Sequence, residues 1–294
     1  MHAIAQTLRI HQWAKNVLIF VPFIAAHSIS DLSDWLILFL AFISFSLGAS
    51  ATYVINDLLD LENDRLHPRK KNRPIASGRV SARIGFLLIP FLLAASIGIG
   101  AFVNSDFLLV LFLYLVVTIV YSKILKQMVL VDVVVLAVLY TVRLVAGAAA
   151  IQGTLTFWML TFSIFLFMSL AFVKRFAELE LWIQSGGHKL HGRGYHTDDA
   201  ALIQTMGISA GYASVLVFAM YLRSEEVVKL YETPGILWGA VLMLLFWINW
   251  MWFQAHRANM HDDPLVFAVK DRVSLFVGAV FAIFLALAAV GWAW

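Results

Sequence analysis

Long apolar runs separated by polar segments constrain this chain of 294 residues more than any other feature of its sequence. A helix that crosses the hydrocarbon core of a bilayer needs about 20 mostly apolar residues. The runs are continuously apolar and do not alternate with a period of two, which argues against a membrane β-barrel. Nine such runs are present, at about 17–31, 35–55, 84–103, 106–122, 131–151, 156–173, 199–222, 234–255 and 273–293.

The composition of the chain agrees with this interpretation. Only 13% of the residues are charged and 62% are hydrophobic, whereas an ordinary soluble domain carries about 25% charged residues. We therefore predict an all-α integral membrane protein, with a bundle of nine transmembrane helices in a single polytopic domain over residues 1–294. The sequence has no cysteine, which excludes disulfides, thiolate metal ligands and cysteine nucleophiles.

The distribution of charge predicts an orientation in the membrane. When the loops are assigned to alternate sides, 18 of the 21 Lys and Arg residues fall on one face. The positive-inside rule makes that face cytoplasmic, with the N-terminus on the same side, and we expect insertion in the plasma (inner) membrane. At least 11 of the 18 Asp and Glu residues also fall there, although orientation requires only the cations. We expect the chemistry on this face, which concentrates both signs of charge.

An acidic segment directly after the second apolar run carries the strongest chemical signal. If the helix continues through it, Asp57, Asp60 and Asp64 lie at positions i, i+3 and i+7 and share one face. Oxygen ligands of this kind suit Mg²⁺, which bridges a few carboxylates to substrate phosphates. The alternative is a solvated helix end, which explains less well why the acids follow helical spacing.

A basic loop follows within a few residues and places cations beside the acidic face. Pro68, Pro74 and Gly78 stop the helix from propagating through this stretch. Its cations are suited to the negative charge that a metal-bound diphosphate retains, although contacts with lipid headgroups are an alternative role. These cations are Arg69, Lys70, Lys71 and Arg73.

The fifth apolar run contains Asp132 at its start and Arg143 in its middle. Their separation along a helix is about 16 Å, which excludes a direct salt bridge between them. An arginine inside the membrane is costly and usually faces a polar interior. Arg143 would either hold a substrate phosphate or pair with a polar group of another helix, and the sequence leaves both roles open.

The acidic and basic segments together resemble a known motif. The pattern Asn-Asp-x-x-Asp-x-x-x-Asp at 56–64, with Lys-Asn-Arg-Pro-Ile at 71–75 and Ser-Gly at 77–78, resembles the first aspartate-rich motif of the UbiA superfamily of membrane prenyltransferases. The resemblance implies nine transmembrane helices around a central cavity. Quinone-pathway members carry a second aspartate-rich motif after the sixth helix. Here residues 172–180 read Phe-Val-Lys-Arg-Phe-Ala-Glu-Leu-Glu, and the missing aspartates argue against an aromatic acceptor.

Shorter motifs resemble one branch of that superfamily, the decaprenyl-phosphate phosphoribosyltransferases of cell-wall arabinan precursor synthesis. This branch uses a sugar donor with a diphosphate and a monophosphate, and its acceptor is a lipid monophosphate. Three anionic groups call for more cations, and Lys174 and Arg175 stand where the acids are missing. The motifs are Arg9-x-x-Gln12-Trp13-x-Lys15-Asn16, Tyr121-Ser122-x-x-Leu125-Lys126, Arg143-x-x-Ala146-Gly147, Lys174-Arg175-x-Ala177-Glu178-Leu179, and Asp263-Pro264 with Asp271-Arg272.

The resemblance implies Mg²⁺-dependent transfer of a 5-phosphoribosyl group from phosphoribosyl pyrophosphate to a polyprenyl phosphate of the decaprenyl type. The active-site loops would be 56–83, 121–132 and 174–198, all on the cytoplasmic side. The catalytic residues would be Asp57, Asp60 and Asp64, which bind the metal, with Lys71 and Arg73. Substrate-binding residues would be Lys15, Asn56, Arg69, Lys70, Tyr121, Lys126, Arg143, Lys174, Arg175 and Glu178.

The partners implied are the two substrates and the membrane lipids, with no nucleic acid. An alternative function keeps the first motif but moves a polyprenyl group from its diphosphate to an aromatic or other acceptor. A transporter is disfavoured because the sequence has one mid-membrane charge and no clear internal repeat. The lipid chain length, the aromatic residues that line the lipid tunnel and the oligomeric state, a homo-oligomer included, stay open.

Overall fold

The structure, a computed structural model, describes residues 2–27, 31–66, 70–184, 193–260 and 263–291, and within these ranges it is helical with no β-strand. The α-helices are α1 (His2–Thr7), α2 (Val21–Ala25), α3 (Leu32–Leu59), α4 (Leu61–Leu66), α5 (Ala82–Val103), α6 (Ser105–Lys123), α7 (Val131–Ala150), α8 (Phe157–Gln184), α9 (Ala200–Tyr221), α10 (Glu225–Leu230), α11 (Leu237–His256), α12 (Pro264–Ala268) and α13 (Arg272–Val290). The 3₁₀ helices are Ile10–Phe20, Lys70–Asn72, Leu125–Gln127, Thr197–Asp199 and Pro234–Ile236.

Eight helices in the described ranges are long and apolar enough to cross a membrane, namely α3, α5, α6, α7, α8, α9, α11 and α13. This confirms the all-α membrane fold predicted from the apolar runs. Several of these helices begin where a side chain caps the first free amides. Asp31 accepts the N–H of Ser33 before α3, Ser81 caps α5, and Asp271 caps α13.

The first predicted span, 17–31, has a different local structure, so the count of nine is approximate. A 3₁₀ helix covers Ile10–Phe20 and α2 follows it directly. Pro22 lies in the first turn of α2 and has no N–H to donate, which removes one α-helical hydrogen bond at the junction. At about 2.0 Å per 3₁₀ residue and 1.5 Å per α-helical residue, the two segments end to end would cover about 30 Å, the thickness of a hydrocarbon core.

The 3₁₀ form of Ile10–Phe20 matches the spacing of partners on α3. Trp13 Nε1 donates to Ser50 Oγ at 3.0 Å, and Asn16 Nδ2 donates to Ser46 Oγ at 2.9 Å. Three 3₁₀ residues rise about 6 Å, and four α-helical residues rise the same distance. Because the two rises match, Trp13 and Asn16, three residues apart on the 3₁₀ helix, lie opposite Ser50 and Ser46, four residues apart on α3.

Spatial proximity divides the chain into two compact units. Unit 1 comprises Met1–Lys123 and Val142–Thr154, and unit 2 comprises Ile124–Thr141 and Leu155–Trp294. Helix α7 therefore contributes its first half to unit 2 and its second half to unit 1. The single domain predicted over residues 1–294 stays a prediction, and the polar clusters below are described unit by unit.

Small residues allow close packing of α3 against α5 in unit 1. The hydroxyl of Ser44 donates to the carbonyl of Ser96, and the hydroxyl of Ser96 donates back to the carbonyl of Ser44, both at 2.7 Å. A Cβ atom added to Gly48 would lie 2.9 Å from Ser96 Oγ. Close approach through small residues is typical of membrane helices, and here it fixes the helix that leads into the acidic motif.

Unit 2 uses the same principle around α8. The Ser169 hydroxyl donates to the carbonyl of Gly207 on α9 at 2.7 Å, and Trp252 Nε1 on α11 donates to Ser169 Oγ at 3.2 Å. A Cβ atom on Gly207 would lie 2.3 Å from the Trp252 ring. These contacts fix α8, whose last turns carry Lys174, Arg175 and Glu178.

Candidate active site

An ion cluster in unit 1 joins two of the three predicted metal ligands to two arginines. Arg73 Nη1 lies 3.2 Å from Asp57 Oδ1 and 2.5 Å from Asp64 Oδ2. Arg9 Nη2 lies 2.5 Å from the same Asp57 oxygen. The side chains of Asp57 and Asp64 are only 3% and 2% exposed, whereas both arginines are partly exposed. Two buried anions are therefore balanced by two cations that reach the surface.

The helix that carries the acidic motif is interrupted at Asp60, which separates α3 from α4. The amide of Asp60 bonds to the carbonyl of Asn56, and the amide of Asp64 bonds to the carbonyl of Asp60. The predicted common face assumed a continuous helix. Asp57 and Asp64 converge on Arg73 in spite of the interruption, and Asp60 is half-buried outside this pair.

The other residues predicted for this site differ in how the structure places them. Lys71 is exposed in the 3₁₀ turn Lys70–Asn72, and Asn56 is half-buried near the end of α3. Arg69 and the side chain of Lys70 lie outside the described residues. Among the described side chains of the predicted basic loop, Arg73 is therefore the one that the structure joins to Asp57 and Asp64.

The donor chemistry of this cluster fits a hard divalent cation. Asp57 and Asp64 supply anionic oxygens that face a common point, where Arg73 Nη1 contacts both. Two carboxylates, with water and substrate phosphate as further ligands, are a usual set for Mg²⁺. Within the described ranges, no group of three His, Cys, Asp or Glu is arranged to ligate a metal. Asp57 and Asp64 are thus residues that would fit the ion, and metal binding by Asp60 stays a prediction.

Arg143 lies in a buried polar cluster of unit 1. Its Nε donates to Asn16 Oδ1 at 2.9 Å, and its Nη2 donates to Tyr114 Oη at 3.3 Å. The guanidinium also lies over the rings of Phe45 and Tyr114, at 5.5 and 5.1 Å from their centroids. These contacts support the second of the two predicted roles, pairing with polar groups of other segments. Phosphate binding by Arg143 stays a prediction.

Three further predicted residues are distributed over the two units. Lys15 is buried next to Asn16 in unit 1, and Tyr121 is half-buried near the end of α6 in the same unit. Lys126 is half-buried in the 3₁₀ turn Leu125–Gln127 of unit 2. Substrate binding by all three stays a prediction.

Unit 2 contains a second ion cluster, at the start of α7. Arg175 Nη2 lies 2.6 Å from Asp132 Oδ2, and both side chains are fully buried. Arg175 also pairs with Glu178, one turn further along α8. Arg193 Nε lies 3.1 Å from Glu178 Oε2, and Arg193 Nη1 lies 3.8 Å from Asp132 Oδ2. Arg175, predicted to bind substrate, is therefore enclosed by protein acids, while Glu178 is partly exposed.

Tyr195 completes the cluster from the segment before α9. Its hydroxyl donates to Asp132 Oδ1 at 2.5 Å and accepts the amide N–H of Leu130 at 2.8 Å. The Arg175 guanidinium lies over its ring, 5.6 Å from the centroid. Burial, together with the hydrogen bond to Asp132, raises the pKa of Tyr195 well above its ordinary value. The tyrosine thus binds Asp132 as a neutral donor.

Because the pKa of Tyr195 is raised, we expect the free energy of unfolding to fall at alkaline pH. Because the folded pKa lies above the unfolded value of about 10, the contribution of Tyr195 is complete below pH 10 and is lost as the pH rises further. Tyr195→Phe should therefore reduce the fall in stability above pH 10. Unfolding in detergent between about pH 8 and 11 measures this, with Tyr212→Phe, an exposed tyrosine, as control. Equal pH slopes in the two variants would contradict the prediction.

Lys174 is paired with an acid from a distant segment of unit 2. Its Nζ lies 3.1 Å from Asp263 Oδ2, and Tyr140 Oη donates to the same oxygen at 2.6 Å. Asp263 Oδ1 accepts the N–H of Leu265 at 3.3 Å and so caps α12. Lys174 and Arg175 are adjacent in sequence, but they pair with acids from different parts of the unit, Lys174 with Asp263 and Arg175 with Asp132.

Sequence reasoning does not select five residues of the two ion clusters and of the Lys174 pair. Two of them, Arg9 and Asp263, stand inside motifs that carry the family resemblance, and this was the available signal. Arg9 also has left-handed backbone angles, with φ at 51°, which is uncommon for a residue other than glycine. No local pattern marks the others, which are Tyr140, Arg193 and Tyr195.

Eight membrane-length helices and two largely buried ion clusters in the described ranges define an integral membrane protein. The model of the UbiA prenyltransferase family matches residues 17–269. The chain therefore belongs to the UbiA prenyltransferase family and is a transferase of that superfamily. The match confirms the resemblance that the acidic and basic motifs carry.

Curated relatives are similar along nearly the whole chain. The uncharacterized protein y4nM of Sinorhizobium fredii is 40% identical over 276 residues, which are 94% of this chain and 54% of that protein, so the chain spans about half of its length. Nodulation protein NoeC of Azorhizobium caulinodans is 34% identical, covering 92% of this chain and 88% of that one. A decaprenyl-phosphate phosphoribosyltransferase of Mycobacterium tuberculosis is 33% identical, with the same coverage of 92% and 88%. The last similarity confirms the resemblance to that branch.

Solved structures confirm the fold. A UbiA homolog from Archaeoglobus fulgidus bound to GPP and Mg²⁺ superposes with a TM-score of 0.70 at 16% identity, covering 97% of this chain and 99% of that one. A structure of digeranylgeranylglyceryl phosphate synthase gives a TM-score of 0.63 at 16% identity, with 99% of both chains covered. At such identities the likeness concerns the arrangement of helices.

Proposed function

We propose that this protein transfers a 5-phosphoribosyl group from phosphoribosyl pyrophosphate to a polyprenyl phosphate of the decaprenyl type, in a Mg²⁺-dependent reaction that releases pyrophosphate. The observation that carries the proposal is the difference between the two units. Unit 1 keeps an acid pair suited to one metal-bound diphosphate, whereas α8 in unit 2 carries Lys174 and Arg175 where quinone-pathway relatives have acids. A donor that carries a diphosphate and a monophosphate, with an acceptor that is itself a phosphate, brings more negative charge than a prenyl diphosphate with an aromatic acceptor, and so calls for the additional cations. The relatives named as phosphoribosyltransferases support the proposal.

The residues of unit 1 would have two roles at the leaving group, metal binding and charge stabilisation. Asp57 and Asp64 would hold Mg²⁺, which stabilises the negative charge that develops on pyrophosphate as its bond to C1 breaks. Arg9 and Arg73 contact these acids, and we propose that they share that charge together with Lys71. Arg73 contacts both carboxylates and is therefore tied to the metal ligands themselves.

The acceptor requires little activation. The nucleophile is an oxygen of the lipid phosphate, which is already anionic, so no strong general base is needed. Its bond to C1 forms as the bond from C1 to pyrophosphate breaks, and no proton has to be removed. Other substrate contacts that we propose are Lys15, Asn56, Arg69, Lys70, Tyr121, Lys126, Arg143 and Lys174, while Arg175 and Glu178 would act from their ion cluster.

The proposal includes an orientation. We infer that the N-terminus and the loops at 56–83, 121–132 and 174–198 face the cytoplasm from the plasma (inner) membrane, because that face concentrates the basic residues. A water-soluble lysine reagent added to sealed right-side-out vesicles should then spare exposed Lys71 and label it only after the vesicles are opened. Labelling of Lys71 in sealed vesicles would invert the orientation.

A direct assay tests the reaction. Protein in nanodiscs is incubated with radiolabelled phosphoribosyl pyrophosphate and decaprenyl phosphate, and lipid-linked product is counted with Mg²⁺ and with excess chelator. We expect labelled lipid with Mg²⁺ and none with chelator. Activity with a polyprenyl diphosphate and an aromatic acid, and none with phosphoribosyl pyrophosphate, would favour the prenyltransferase alternative instead.

The two buried aspartates should be indispensable. We expect Asp57→Ala and Asp64→Ala each to lower kcat by at least about 100-fold, because each removes a ligand for the charge-stabilising ion. Asp60→Ala should have a smaller effect, since Asp60 is less buried than Asp57 and Asp64. Asp34→Ala, in the first turn of the same helix α3, serves as the control. An Asp60 effect as large as that of Asp57 would support the three-aspartate site predicted from the sequence.

A further inference from the structure

We propose that Lys174, Asp263 and Tyr140 form a binding site for a phosphate monoester. Lys174 would contact the phosphate, and Asp263 and Tyr140 would be positioning residues that act through it. The proposal rests on the proposed function, because both substrates of that reaction carry a phosphate monoester. One is the phosphate of the lipid acceptor, and the other is the 5-phosphate of the sugar donor.

The exposure of the three side chains gives the site its direction. Asp263 is 4% exposed and Tyr140 is buried, whereas Lys174 is 24% exposed. The cation therefore lies on the open side and the acid behind it.

Asp263 fixes the ammonium to rigid parts of the fold. Lysine is a point charge on a flexible four-carbon stem with three N–H donors. Directing one of these donors at Asp263 sets the directions of the other two. Asp263 is itself held by the Tyr140 hydroxyl from α7 and by the Leu265 amide at the start of α12. Lys174 is thus positioned from two helices other than its own.

The distances show that Lys174 is directed without being held tightly. Its contact with Asp263 measures 3.1 Å, longer than the roughly 2.7–2.9 Å of strong charge-assisted bonds. The Tyr140 contact with the same oxygen is the shorter one, at 2.6 Å. Tyr140 thereby takes part of the hydrogen-bonding capacity of the carboxylate oxygen that Lys174 also contacts.

The composition of the cluster suits a phosphate group that Lys174 contacts directly. The carboxylate of Asp263 is already engaged by three donors, so it has little capacity left to ligate a metal ion. A lysine ammonium binds phosphate as a point charge and needs no metal. A single fixed lysine thus suits a group with a single phosphorus.

The first experiment measures binding without turnover. Ribose 5-phosphate and farnesyl phosphate are titrated separately into the protein in nanodiscs by calorimetry, as probes for the sugar and lipid sources. We expect Lys174→Gln to weaken one probe by about tenfold or more, Asp263→Asn to weaken the same probe, and Tyr140→Phe to have a smaller effect in the same direction. Lys174→Arg should retain part of the affinity because it keeps the charge. The affected probe identifies the source of the monoester.

A matched control separates positioning from helix capping. Asp271 caps α13 as Asp263 caps α12, so Asp271→Asn should leave the affinity for both probes within about twofold. If Asp263 acts through Lys174, Asp263→Asn should add little to Lys174→Gln in the double variant. Full additivity would assign Asp263 a merely structural role and overturn its part of the proposal.

Steady-state kinetics complete the test and separate it from the proposed function. In Lys174→Gln, the KM for the matching substrate should rise by about tenfold while the KM for the other changes little. If wild type transfers phosphoribosyl groups but neither probe depends on Lys174, the monoester site is wrong and the proposed function stands. If wild type shows no transfer but one probe binds through Lys174, the proposed function fails and the site stands.

Discussion

Replacing Asp132 with alanine is expected to destabilise the protein by about 3–5 kcal/mol, because the change leaves a buried guanidinium without its main partner. Arg175 is fully buried and lies 2.6 Å from Asp132. The substitution also removes the acceptor of the Tyr195 hydroxyl, bonded at 2.5 Å. Glu178 remains beside Arg175 but is partly exposed, so it compensates the charge less well.

Equilibrium unfolding in mixed micelles with increasing SDS measures this loss. Asp198→Ala is the control, since Asp198 is exposed in the short turn before α9 and should change stability by less than about 0.5 kcal/mol. A loss in Asp132→Ala no larger than that of Asp198→Ala would mean that the ion cluster does not stabilise the fold.

A double variant identifies the cause of the loss. When a buried ion pair is replaced by apolar groups of similar volume, stability is often retained. We therefore expect Asp132→Ala combined with Arg175→Met to be more stable than Asp132→Ala alone, since no charge is then stranded. If the double variant is less stable than the single one, the loss stems from packing rather than from the guanidinium.

The sequence predicts well those features that depend on neighbouring residues. Continuous apolar runs specify membrane helices, and eight of the predicted nine appear as such. The position of the acidic motif after the second run places Asp57 and Asp64 correctly beside the basic loop. The interruption at Asp60 was not predicted, because helical spacing alone does not show where a helix ends.

Partners that are distant in sequence could not be predicted from spacing. Lys174 and Asp263 are separated by 89 positions, and Tyr195 and Asp132 by 63. A charge pattern shows that a basic residue is present but not which acid will face it once the helices pack. For this reason the sequence predicts Arg175 to be a substrate-binding cation, whereas the fold buries it against Asp132.

The Arg143-x-x-Ala146-Gly147 motif has a packing role that its charge obscures. Arg143 and Gly147 lie one turn apart on the same face of α7. Arg143 bonds to Asn16, and Gly147 lies against the backbone of Ile19. Asn16 and Ile19 are three residues apart and so share one face of the 3₁₀ helix. The motif is therefore the contact surface between α7 and the 3₁₀ segment.

Gly147→Ala is expected to destabilise the protein by about 1–3 kcal/mol, although alanine normally stabilises a helix relative to glycine by about 1 kcal/mol. A Cβ atom at this position would lie 2.0 Å from the Ile19 carbonyl oxygen and 2.8 Å from its carbon. Both are backbone atoms, which cannot rotate away as a side chain would. The methyl group must therefore displace the 3₁₀ segment from α7 and lengthen the bond between Arg143 and Asn16.

The matched control is Gly98→Ala on α5, where an added Cβ meets no atom within 4 Å. That variant should gain about 0.5–1 kcal/mol from helix propensity, so the two substitutions are expected to change stability in opposite directions. Unfolding of both variants in mixed micelles measures the difference. If Gly147→Ala gains as much as Gly98→Ala, the close contact between α7 and the 3₁₀ segment does not exist. A loss confined to Gly147→Ala would show that this segment is packed as tightly as the long helices.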